Sequence, residues 1–212
     1  MSIGFLFDLD GTLLNTLEDL ADGTNYALAS FGYPRRTLEE VRRFVGNGAA
    51  NLIAQAVPAG RDPAPVLKAF QAYYPTHCRI KTAPYPGVLE ALAELGEKYP
   101  IAIVSNKPDA AVKPLCAHYF PGIFALGETA GCPRKPDPSM VRKAMEAIGV
   151  TDCVYVGDSY SQDVASAGGC GWETIWLNRR GGAAGELAPT YCVREERELL
   201  ACLKAMTQEA QR

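Results

Sequence analysis

Two aspartates, Asp8 and Asp10, stand two positions apart behind the apolar run Ile3-Gly4-Phe5-Leu6-Phe7. Such a run reads as a buried strand, and Gly11-Thr12 as the turn that ends it. Both acids then leave the carboxyl end of the strand, the edge where open α/β sheets bind their ligands. Three more polar clusters follow apolar runs in the same way: Ser105-Asn106-Lys107, Lys135 within Arg134-Lys135-Pro136-Asp137-Pro138, and Asp158 with Asp163. A parallel sheet brings these strand ends together.

The residue types define a chemistry. Carboxylates at Asp8 and Asp158 suit Mg²⁺, which takes oxygen ligands and keeps waters that a substrate phosphate can replace. A carboxylate can also attack phosphorus and form an aspartyl phosphate, which divides one slow hydrolysis into two faster steps. Lys135 would neutralise the approach of two anions, while the Ser105 hydroxyl and backbone N–H groups hold the phosphoryl oxygens. Together these groups indicate phosphoryl transfer.

The elements that must position them alternate. From Val88 onward, helical and strand patterns follow one another to a last helix near 195–207, which predicts an α/β fold with a parallel sheet covered on both faces. Between the first strand and this series, four helical patterns fill residues 16–80, with Thr16 as a possible cap of the first. The second opens on the capping box Thr37-Leu38-Glu39-Glu40. The expected organisation is a Rossmann-like core of residues 1–15 and 81–212, with a helical cap of residues 16–80 inserted after strand one. Lys81 to Gly87, with two prolines and a glycine, reads as the return linker.

Bulk properties set the class of partner. The 212 residues, 48% hydrophobic and 21% charged, suit a globular protein with a sizeable core. A formal charge of −3 gives no global attraction to nucleic acid or an anionic membrane, so a small-molecule partner is expected. No apolar stretch is long enough for a membrane span, and no basic segment leads into a signal core. With seven scattered cysteines and no CxxC spacing, a cytoplasmic protein with reduced thiols is expected.

Taken together, FDLDGTL, Phe44-Val45-Gly46-Asn47-Gly48, PYPG, IVSNK, RKPDP and VGDSYSQD resemble the haloacid dehalogenase superfamily, in its phosphoglycolate phosphatase-like branch. The resemblance spans nearly the whole chain. It implies a Mg²⁺-dependent phosphatase for a small phosphorylated metabolite, with Asp8 as nucleophile, Asp10 as general acid/base, and Ser105 and Lys135 as the serine and lysine of the site. It further implies metal ligation by Asp8, the backbone carbonyl of Asp10, Asp158 and Asp163, the last directly or through water. Asp158 and Asp163 are five apart where close relatives often have four, which weakens the match at Asp163. Dehalogenases of the superfamily lack the second aspartate, so Asp10 argues against that reaction. Pyrophosphate and sugar-phosphate hydrolysis, a mutase, and a non-enzymatic phospho-accepting receiver stay open.

The remaining polar residues have plainer readings beside the functional ones. Gly46-Asn47-Gly48 is either a simple loop or one whose bare backbone approaches substrate. Asn106 bonds to substrate or caps the next helix. Gly11 and Arg43 are candidate substrate contacts, although Arg42 and Arg43 also suit a solvated helix face. Lys107 is expected to be solvated.

Overall fold

The alternation of the first strand already fixes its two faces. In the computed structural model, which describes residues 2–209, β1 (Ile3–Phe7) sends Phe5 and Phe7 to one side and Leu6 to the other. Each face meets a separate apolar cluster, which is why the run is continuously apolar rather than alternating. Phe5 and Phe7 join Ile101, Ile103, Val154 and Val156, whereas Leu6 joins Val104, Tyr155, Met140 and Val141.

Five further strands complete the sheet: β4 (Ile101–Pro108), β5 (Phe124–Glu128), β6 (Asp152–Gly157), β7 (Glu173–Leu177) and β8 (Tyr191–Val193). Their order is β5-β4-β1-β6-β7-β8 and every pairing is parallel. The neighbours of β1 are therefore β4, which carries Ser105, and β6, which Asp158 follows. Helices α5 (Val88–Gly96), α6 (Asp109–Tyr119), α7 (Ser139–Ile148) and α9 (Glu196–Glu209) connect or flank the strands.

Four helices leave the sheet after β1: α1 (Leu17–Ala29), α2 (Leu38–Phe44), α3 (Gly48–Ala56) and α4 (Ala64–His77). The capping box at Thr37 and Glu40 forms with both reciprocal bonds. Gly23 lets α1 approach α4 closely, since a Cβ there would lie 3.0 Å from the Tyr74 ring. The two chain crossings between helices and sheet pair with each other, β2 (Leu14–Asn15) antiparallel to β3 (Ala83–Pro84). The buried Asp19 carboxylate ties them further, accepting the backbone N–H groups of Lys81 at 3.0 Å and Thr82 at 2.9 Å. The Lys81 to Gly87 segment thus contains a short strand as well as turns; two residues carry no periodicity by which to read one. Among the described residues, no helix is long and apolar enough to cross a membrane.

Candidate active site

The four polar clusters meet at one edge of the sheet and line one cavity of about 560 Å³. Asp8 follows β1, its backbone N–H bonded to the Val156 carbonyl at 2.8 Å. Its carboxylate receives the Lys135 ammonium at 2.7 Å. Lys135 is 4% exposed, and its three N–H groups are shared among Asp8, Asp163 Oδ1 at 2.7 Å, and the Val104 carbonyl and Tyr155 hydroxyl, each at 2.9 Å. Burial alone would lower the Lys135 pKa, but Asp163 and Asp8 outweigh it and hold the ammonium well above its ordinary range. For Asp8, burial raises the carboxyl well above the carboxylate range while the Lys135 charge opposes.

Asp8, Asp158 and Asp163 each bring a carboxylate oxygen within 4.8 Å of the others. Burial, with Asp163 adding like charge, pushes Asp158 up to about 7. Their approach depends on bare backbone: a Cβ on Gly11, at φ +81°, would stand 2.5 Å from Asp158 Oδ2, and one on Gly157 would collide with Asp163. Three crowded hard oxygen donors beside an open cavity fit a divalent cation such as Mg²⁺.

The five-residue interval from Asp158 to Asp163 is taken up by a π turn, Tyr160–Val164, ahead of the short α8 (Ala165–Gly168). Sequence periodicity reads an ordinary helix start here. The wider turn absorbs one extra residue, and Asp163 lies 1% exposed on Lys135 and the Ser159 N–H.

Asp10 occupies a second polar group in the same cavity. It accepts both bonds of the Lys107 ammonium, at 2.9 and 3.1 Å, and the Thr16 hydroxyl at 2.5 Å. Two expectations are corrected by this. Thr16 precedes α1 without a side-chain capping bond, because its hydroxyl is spent on Asp10. Lys107 is not solvated: it is 5% exposed, since β4 continues past Ser105 to Pro108 and carries it into the interior. Ser105, 1% exposed, accepts the Lys107 backbone N–H at 3.2 Å and lines the cavity.

Asn106 caps no helix. Its Oδ1 accepts the Lys135 N–H at 2.9 Å, and its Nδ2 donates to the Lys135 carbonyl, to Gln162 and to the Gly46 carbonyl. That last bond, at 3.1 Å, reaches the loop between α2 and α3. Gln162 Nε2 donates to Asn47 Oδ1 at 2.6 Å and Arg134 to the Asn47 carbonyl at 2.7 Å. Three neighbours of catalytic candidates therefore hold one loop over the cavity. Gly46 and Gly48 line the cavity, both at positive φ, whereas Asn47 faces Gln162 and Arg134. Arg43 is exposed and does not line the cavity; the adjacent Arg42 does, while it is bonded to Glu39 at 2.8 Å. Gly11 lines the cavity, and its carbonyl accepts Arg179, which stacks 4.1 Å over Tyr85 and pairs with Glu196 at 2.8 Å.

Sequence reading missed Thr16, Lys107, Tyr155, Gln162 and Arg179. Only Lys107 carried a usable signal, its place two residues beyond Ser105 in a strand that need not stop at Val104.

A parallel sheet whose acidic edge meets a buried lysine defines a class, and residues 5–177 match the model of the haloacid dehalogenase-like hydrolases. The chain belongs to that family. It is 33% identical, over 93% of its length and 78% of the relative's, to phosphoglycolate phosphatase 1 of Pseudomonas aeruginosa, and 36% identical, over 81% and 68%, to the phosphoglycolate phosphatase of Pseudomonas putida. Among solved structures, CbbY from Rhodobacter sphaeroides, in complex with phosphate, superposes with a TM-score of 0.77 at 25% identity, covering 96% of this chain and all of that one.

Proposed function

We propose that the chain is a Mg²⁺-dependent phosphatase of small phosphate monoesters, with 2-phosphoglycolate as its leading substrate, acting through an aspartyl phosphate on Asp8. The observation that carries this is the pair of carboxylates in one cavity with different partners: Asp8 on Lys135 beside the acidic trio, and Asp10 on Lys107 and Thr16. Such a division suits a nucleophile and a separate proton carrier. The named activity of the Pseudomonas relatives supports the same choice.

In this reading Mg²⁺ is held by the carboxylates of Asp8, Asp158 and Asp163 and the backbone carbonyl of Asp10, and when bound it supplies positive charge toward the phosphoryl oxygens. An Asp8 oxygen attacks phosphorus as the bond to the ester oxygen breaks. The Asp10 carboxyl gives its proton to that oxygen, which leaves as an alcohol. Asp10, now a carboxylate, takes a proton from water, whose oxygen attacks the phosphoaspartyl group and frees Asp8 and inorganic phosphate. Lys135 offsets the charge at Asp8, and Ser105 donates to a phosphoryl oxygen. Residues 16–80 act as a cap, with Gly46 to Gly48 closing on Asn106, Gln162 and Arg134 to exclude water.

The test is a panel of phosphate esters offered to the purified chain with and without Mg²⁺. Hydrolysis of small esters, 2-phosphoglycolate foremost, lost on chelation and restored by Mg²⁺, is expected. Phosphate release from none of them would overturn the reading.

A further inference from the structure

The phenol of Tyr74 is 2% exposed, lines the cavity and has no hydrogen-bond partner within the described structure. An unmet buried hydroxyl is costly and rare, and its place on a ligand cavity gives it a natural partner there. Its ring is fixed on three sides. Phe70 stacks on it with centroids 4.8 Å apart, Gly23 leaves room for it, and the Lys107 ammonium sits 4.8 Å from its centroid.

The Lys107 ammonium lies against that phenol oxygen as well as against Asp10. Of its three N–H groups, those not aimed at the two oxygens of Asp10 face the phenol, which leaves the phenol O–H without an acceptor among the described residues. Burial pushes the Tyr74 phenol well above its ordinary range, so it stays a donor near neutral pH. The phenol O–H and a charged ammonium thus stand together beside the proton carrier. The walls next to them, Leu20, Leu52 and Phe70, are apolar and offer no competing acceptor.

We propose that Tyr74 and Lys107 form the leaving-group subsite, and that it binds a carboxylate attached close to the ester oxygen. This rests on the phosphatase reading and narrows it to phosphorylated hydroxy acids. Tyr74 is a specificity residue here, while Lys107 serves the substrate carboxylate and Asp10 together.

The experiment compares 2-phosphoglycolate with ethyl phosphate, which has the same skeleton without the carboxylate, in the wild-type chain and in Tyr74→Phe. Wild type is expected to favour 2-phosphoglycolate in kcat/KM. Tyr74→Phe is expected to shrink that preference about tenfold, mostly through KM, the size of one lost bond to a charged group. Glycolate, as a competitive inhibitor of ethyl phosphate hydrolysis, is expected to weaken in the variant by a similar factor. Equal wild-type turnover of both esters, or an unchanged preference in Tyr74→Phe, overturns the subsite and leaves the phosphatase standing. Turnover of neither ester by wild type overturns the phosphatase reading itself.

Discussion

The floor and the roof of the cavity are assembled by different means. On the floor, Asp8 and Asp158 directly follow strands, Ser105 lies within β4 and Lys135 on a loop, and the lysine alone has four partners within 2.9 Å. On the roof, helices α1, α3 and α4 present Leu20, Leu52, Phe70 and Tyr74, and away from the chain crossings one glycine-flanked loop makes polar contacts with the floor. A floor locked by several bonds per group suits chemistry that tolerates little misplacement. A roof whose loop is held by three bonds suits the proposed closing of residues 16–80 over the site.

The comparison breaks most visibly at Asp8. Asp8→Asn keeps the shape but removes the charge that the proposed mechanism uses for attack and for holding the cation, so turnover of a small ester is expected to fall about a thousandfold or more. Retention of a tenth of wild-type activity would remove the floor from the chemistry.

The acidic trio gives an effect on stability. Asp158 rises from an ordinary carboxylate value to about 7 in the metal-free fold, so between pH 4 and 7 the folded chain binds more protons than the unfolded one. Its contribution to stability is then greatest at low pH and falls as pH rises through 7. Mg²⁺, which needs the ionised trio, is expected to raise the melting temperature more at pH 8 than at pH 6. Thermal scans with and without Mg²⁺ at both values check this; an equal shift would separate the trio from metal binding.

The smallest effect belongs to the roof. Gln162→Ala deletes the bond to Asn47 and is expected to raise KM about three- to tenfold, the worth of one hydrogen bond, with phosphate still transferred to Asp8. A collapse of kcat instead would place Gln162 on the floor.

The same contrast explains what could be read from the sequence. Strand-end polar residues announce themselves because an apolar run stops at them, so Asp8, Ser105 and Asp158 were visible together with the strands that carry them. The roof writes no such signal. Tyr74 falls on the helical period that also marks a packed face, and nothing in that pattern separates a core phenol from one left without a partner. Thr16 looks like a cap by position, and its bond to Asp10 depends on the turn at Gly11 folding the chain back. Lys107 reads as solvated because a charged residue is rarely buried unless paired, and its partner lies 97 residues away. The five-residue interval between Asp158 and Asp163 does not by itself distinguish a π turn from an ordinary helix start.

The central claim is that two acids divide one hydrolysis between them, and Asp10→Asn tests it most directly. The loss of proton transfer is expected to slow turnover of an alkyl phosphate about 10²–10⁴-fold. Nitrophenyl phosphate hardly needs a proton on its leaving group, so Asp8 can still be phosphorylated, whereas breakdown of the phosphoaspartate still needs a base. Rapid mixing of the variant with nitrophenyl phosphate is therefore expected to give a burst of about one nitrophenol per site, then slow turnover, with phosphate left on Asp8 after an acid quench. Turnover at the wild-type rate with no burst and no trapped phosphate would contradict the account.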